Sequence, residues 1–85
     1  MKFKSIYDPH YRKLVATLVE ARKNAGISQT QLAIELGLNS HSYISKIESC
    51  ERNVTLLDYI RICRVLKFDP KGGIDILMKA SSKMR

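Results

Sequence analysis

The chain contains no tryptophan, only 7% of it is aromatic, and its two cysteines and two histidines are scattered. His10, His41, Cys50 and Cys63 lack the close-paired spacing by which zinc sites gather ligands, so no metal and no cofactor are expected. Cys63 falls among apolar core positions. Buried thiols are therefore the reading for both cysteines, in place of a disulfide. Long hydrophobic runs are also missing: a stretch such as Leu14 to Leu18, with Thr17 inside it, is far too short for a membrane span. The N-terminus has no apolar signal-peptide core, and the chain reads as cytoplasmic. Catalytic signatures are absent too, with no glycine-rich phosphate loop ahead of a helix and no nucleophile elbow. His41, Ser42 and Ser45 stand close in sequence but lack the buried acid that orients the histidine of a hydrolytic triad. Enzyme activity is not expected.

A hydrophobic content of 45%, rich in leucine, isoleucine and valine, suits a compact helical domain. Eighty-five residues permit one such domain with a small core and leave no room for a second. The net charge of +7 and a pI near 9.7 favour a polyanionic partner, nucleic acid or an anionic membrane surface, without choosing between them. No internal repeat or low-complexity segment is present.

Residues 1–7 place Lys2 and Lys4 beside Phe3 and Ile6 without helical periodicity and are expected to form a flexible basic arm. Residues 8–80 are expected to form the domain, and residues 81–85 a frayed basic tail. Asp8-Pro9 is a cap followed by proline at the first helical position, and Tyr11, Leu14, Val15, Leu18 and Val19 follow the spacing of one buried face. This first helix should stop at Gly26. Arg12, Lys13, Glu20 and Lys23 face outward, a solvated face being favoured over direct contact with a partner. Thr55 and Asp58 open a later helix, with Leu56, Leu57, Ile60, Cys63 and Leu66 expected on the core and Ile62 and Val65 widening the apolar surface sideways. Asp69-Pro70 opens a fifth helix with Ile74, Leu77 and Met78 on one face, weakened in its first turn by Gly72 and Gly73.

The organising stretch is Ser28 to Glu48. Ser28 and Gln31 stand three apart as a capping box, and Ile27 and Leu32 sit where a hydrophobic staple closes. The helix they start presents Leu32, Ala33 and Leu36 inward and ends at Gly37 as a left-handed stop. Leu38-Asn39-Ser40 then turns the chain into a second short helix with Ile44 and Ile47 inward. His41, Ser42, Ser45 and Lys46 fall on or near its outer side, hydrogen-bonding residues on a helix of the kind that enters a major groove. Lysine can donate to guanine O6 and N7, whereas serine discriminates poorly.

Ser28-Gln29, Leu32-Ala33, Gly37, the run Ser42-Tyr43-Ile44-Ser45-Lys46-Ile47-Glu48, and Glu51-Arg52 resemble, in order, the helix-turn-helix of lambda-repressor-like, Xre-type transcriptional regulators. The resemblance covers about Tyr11 to Pro70. It implies an all-α, five-helix DNA-binding domain with phosphate contacts from Gln29, Thr30, Arg52 and Asn53. It also implies an ion pair between Arg22 and Glu48 that ties the first helix to the end of the recognition helix. Tyr43 has two placements, packing under the turn, which is favoured, or touching the DNA backbone. The sequence departs from the family pattern twice. One extra residue lies in the turn at Leu38 to Ser40, so spacing does not fix where the recognition helix starts. Cys50 stands where the family commonly has glycine, at a cost if its φ must be positive.

The resulting expectation is a sequence-specific DNA-binding regulator, most simply a repressor, acting on double-stranded DNA as a homodimer on a two-fold operator. Ile62, Val65 and Ile76 are the expected dimer interface, because they exceed what so small a core needs. The alternative is a protein-interaction module of the same fold, such as an antitoxin or adaptor that holds a protein partner. Within Ser28 to Glu48 the only charges are Glu35, Lys46 and Glu48. Flanking residues must then supply much of the attraction to DNA.

Overall fold

A computed structural model describes residues 5–83, with side chains placed for residues 6–79. Five helices follow a short 3-10 turn at Ser5–Tyr7: α1 (Pro9–Asn24), α2 (Gln29–Glu35), α3 (Ser42–Glu48), α4 (Leu56–Leu66) and α5 (Pro70–Lys83). Each start is local chemistry. The Asp8 carboxylate accepts from the amides of His10 (2.7 Å) and Tyr11 (3.1 Å), Ser28 Oγ from Gln31 N (3.0 Å), and Thr55 Oγ1 from Asp58 N (3.1 Å).

The stops share one pattern. After α1, α2, α3 and α4 the chain enters the left-handed region, at Gly26 (φ +73°), Gly37 (+76°), Cys50 (+60°) and Lys67 (+56°). In each case the next amide reaches back five residues, from Ile27 to Arg22 O, Leu38 to Ala33 O, Glu51 to Lys46 O and Phe68 to Cys63 O, at 2.8–3.2 Å. Glycine adopts this conformation freely, but Cys50 and Lys67 carry a Cβ there and are strained.

Helix α1 is the hub and packs against the 3-10 turn, α3, α4 and α5, while α2 packs on α3 and α4. Its buried Tyr11, Leu14, Val15 and Leu18 meet Leu32, Ala33 and Leu36 from α2 and its stop, Ile44 from α3, and Tyr59, Ile62, Cys63 and Leu66 from α4. The fold is the expected all-α arrangement, and both cysteines are free thiols.

Four expectations need correction. Ile62 is 3% exposed: with Leu32, Ile44 and Ile47 it lines a void of about 10 Å³ under the helix-turn-helix, so it is core and not an interface residue. Leu56 and Leu57 are 71% and 66% exposed, because the buried stripe of α4 starts only at Tyr59 and Leu57 points away from it. The chain from Ser5 is not a free arm. Its 3-10 turn lies on α1, Ile6 packs on the core, and Arg12 Nε donates to Ile6 O at 2.7 Å. The arm's Met1 to Lys4 lie outside the described residues, as do Met84 and Arg85 of the expected tail, while α5 continues to Lys83. Gly73 is more than a weak helix start. It is buried, and a Cβ there would run into the Tyr59 hydroxyl and the Leu14 side chain, so a hydrogen at this position lets α5 approach α1 and α4. On α5 Leu77 packs on the core, whereas Ile74 and Met78 are exposed.

Candidate nucleic-acid interface

Helix α3 has seven residues and is roughly 10 Å long at about 1.5 Å per residue. Ile44 and Ile47 are buried and anchor it to the body. Ser42, Ser45 and Lys46 fall within an arc of about 100° on the opposite side. Ser42 and Lys46 are exposed and Ser45 is half-buried. His41 is also exposed but precedes the helix: it occupies the cap position and makes no side-chain cap bond. Ser40 takes over that role, its Oγ accepting from Ser42 N at 3.2 Å. The extra turn residue thus ends with α3 starting at Ser42, placing His41 at its tip.

The far end of α3 is held from α1. Arg22 donates from Nε to Glu48 Oε2 (2.6 Å) and from Nη2 to Oε1 (2.9 Å), and its Nη1 donates to Ile27 O (2.7 Å). The two side chains are 10% and 14% exposed, so this bidentate pair is almost dry. Gln29 Nε2 also donates to Glu48 Oε1, at 2.9 Å. Gln29 at the start of α2 is thereby oriented by the end of α3, with one amide hydrogen used and its carbonyl oxygen left for another partner. Its neighbour Thr30 is exposed.

The near end is held from α4. Tyr43, half-buried, donates its hydroxyl to Asp58 Oδ2 at 2.6 Å. Burial first, and then the Asp58 hydrogen bond, push the Tyr43 phenol above its ordinary pKa, so it stays the donor. Asp58 Oδ1 meets Arg61 Nη1 at 3.4 Å, and Arg61 Nη2 donates to Leu36 O at the end of α2 (2.8 Å). One carboxylate on α4 thus braces both helices of the corner. Tyr43 packs as favoured, and its link to Asp58 and Arg61 is not legible in the sequence. The only sequence signal was an aromatic with a polar tip at the head of a short helix.

Arg52 and Asn53 are exposed in the loop after α3. The Arg52 guanidinium lies over the Tyr43 ring, 4.8 Å from its centroid. Both flanks of Arg52 are pinned, Glu51 N to Lys46 O at 2.8 Å and Val54 N to the Tyr11 hydroxyl at 3.1 Å. The described surface therefore gathers Lys46, His41, Arg52 and the serines around α3, with Thr30 and Gln29 at the start of α2.

A family model for the helix-turn-helix domain matches residues 13–71. A solved structure of an XRE-family like protein from Pseudomonas syringae pv. tomato str. DC3000 is similar at 33% identity and a TM-score of 0.73, over 95% of this chain and 94% of that one. The chain belongs to the XRE-type helix-turn-helix family. No curated protein matches it. Membership of this XRE-type family supports a DNA-binding regulator, and no described helix is long and apolar enough to cross a membrane.

Proposed function

We propose that this XRE-type protein is a sequence-specific transcriptional regulator that represses as a homodimer on a two-fold operator, with α3 in the major groove. The observation that carries this is the two-sided α3: Ile44 and Ile47 fix it to the body while Lys46, Ser42 and Ser45 face outward with His41 at its tip. Lys46 and His41 meet base edges, the serines add adaptable hydrogen bonds, and Gln29, Thr30, Arg52 and Asn53 hold phosphates. A second copy sits along α4 and α5, where Val65 and Ile76 are half-buried and Ile74 and Met78 exposed. Two copies double the bases read, which a single seven-residue helix needs for specificity. No catalytic step belongs to this reading.

Selection of bound sequences from random duplex DNA tests it. An enriched palindrome is expected, its half-sites one helical turn apart or a multiple of that. Recovery of no preferred sequence would overturn the specific reading. A strict monomer by sedimentation, free and on DNA at tens of micromolar, would overturn the homodimer.

A further inference from the structure

Four of the five arginines in the described chain make a side-chain contact, and not all in the same way, while exposed Arg64 makes none. Arg22 uses all three guanidinium nitrogens on Glu48 and Ile27 O, Arg12 uses Nε on Ile6 O, and Arg61 uses Nη1 and Nη2 on Asp58 and Leu36 O. These three are tied by their donors, Arg12 lying also over the Tyr7 ring at 5.9 Å from its centroid. Arg52 has no hydrogen bond or ion pair among the described residues and is held over the Tyr43 ring, 4.8 Å from its centroid. A cation–π contact holds a guanidinium without consuming an N–H in a hydrogen bond to another group, because the ring quadrupole attracts the cation's charge.

We propose that Tyr43 and Asp58 are positioning residues for Arg52: Asp58 anchors the Tyr43 hydroxyl, and the Tyr43 ring holds the Arg52 guanidinium beside the first turn of α3 with its donors free for a DNA phosphate. The proposal rests on the DNA-binding reading and adds a division of labour to it. The Tyr43–Asp58 bond of 2.6 Å fixes the platform, and the pinned amides of Glu51 and Val54 fix the backbone on either side of Arg52. With backbone and side chain both preset, less conformational freedom is lost when phosphate binds. This cation also stands next to the reading residues. A backbone contact there sets the depth and register at which Ser42 and Lys46 meet the bases.

The test is a double-mutant cycle read by binding to random-sequence duplex DNA over a range of salt, with melting curves for every variant. Arg52→Ala should weaken binding and reduce the salt slope by about 1. Tyr43→Leu, which removes both ring and hydroxyl, should weaken binding about five-fold in the wild-type background and hardly at all once Arg52 is alanine. Tyr43→Phe keeps the ring, loses the Asp58 bond, and should fall between wild type and Tyr43→Leu. If Tyr43→Leu does not fold, Tyr43→Phe and Asp58→Asn are carried through the same cycle. Equal losses with and without Arg52 would overturn the proposal, since a merely structural role weakens both backgrounds alike. Failure of the wild-type chain to bind duplex DNA would instead overturn the DNA-binding reading itself, and the positioning role with it.

Discussion

The two ends of α3 are secured by opposite means. At its C-terminal end Glu48 receives three hydrogen bonds, two from Arg22 and one from Gln29, in a site where the ion-paired side chains are 10% and 14% exposed. At its N-terminal end Tyr43 leans on Asp58, and the Asp58–Arg61 pair is longer, at 3.4 Å, with side chains 22% and 43% exposed. Low dielectric makes the first set costly to break, and partial exposure to water makes the ion pair of the second worth less to stability. Helix α3 is thus anchored dry at its heel, which carries most of its hold on the fold, and braced at its toe by contacts that orient side chains more than they stabilise the domain.

The heel should give the largest effect. Glu48→Ala leaves the Arg22 guanidinium buried without its carboxylate, and Arg22→Ala leaves the reverse; breaking a buried pair costs roughly 3 to 5 kcal/mol. At about 4–8 °C per kcal/mol for a domain of this size, the melting temperature should fall by more than about 10 °C in either variant. An unchanged melting temperature in both would erase the contrast between the two ends.

Lys46→Ala and His41→Ala act on the exposed side and should do the converse. Each is expected to leave melting nearly unaltered while costing on the order of 1 to 3 kcal/mol on the operator and much less on random DNA. Arg52→Ala should weaken both DNAs alike. If Lys46→Ala and His41→Ala both preserve the ratio of specific to random affinity, α3 does not read bases in the way proposed.

The same contrast explains what could be read from the sequence. Caps at Asp8, Ser28 and Thr55 and the left-handed stops at Gly26 and Gly37 involve residues within a few positions of one another, so spacing alone located α1 and the corner. Arg22 and Glu48 lie 26 positions apart, and only the family resemblance joined them. The Tyr43–Asp58–Arg61 brace had no such guide, because a tyrosine at the head of a helix suits several partners equally. The burial of Ile62 is hidden for a related reason: periodicity shows that a stripe is apolar but not how far neighbouring helices cover it. Gly73 reads in sequence as a helix weakener, because nothing local signals the closeness of Tyr59 and Leu14.

At the toe, Arg61→Ala removes an exposed ion pair and the hydrogen bond to Leu36 O. The pair is worth about 0 to 1 kcal/mol and the hydrogen bond about 1. Leu36 O is left to recruit water, so the total loss should be about 1 kcal/mol, well under that of Glu48→Ala. A loss as large as that of Glu48→Ala, measured by chemical denaturation, would show that the near end of α3 is as firmly built as the far end.

The smallest effect concerns the two stops that flank α3, Gly37 before it and Cys50 after it, with φ of +76° and +60°. They have nearly the same backbone but different side chains. A Cβ in the left-handed region costs about 1 to 2 kcal/mol, and glycine gives back roughly 0.4 to 1 of that through the greater freedom of the unfolded chain. Cys50 is also half-buried and packs on the core, so Cys50→Gly forfeits some apolar contact. The balance favours a gain of about 0.5 kcal/mol, or roughly 2–4 °C in melting temperature. Gly37→Ala should go the other way, by about 1 kcal/mol, since nothing lies within 4 Å of the added Cβ and backbone strain alone decides its sign. If Cys50→Gly instead lowers the melting temperature while Gly37→Ala behaves as expected, the packing of the Cys50 side chain outweighs its backbone strain, and the far end of α3 is held by its stop as well as by Glu48.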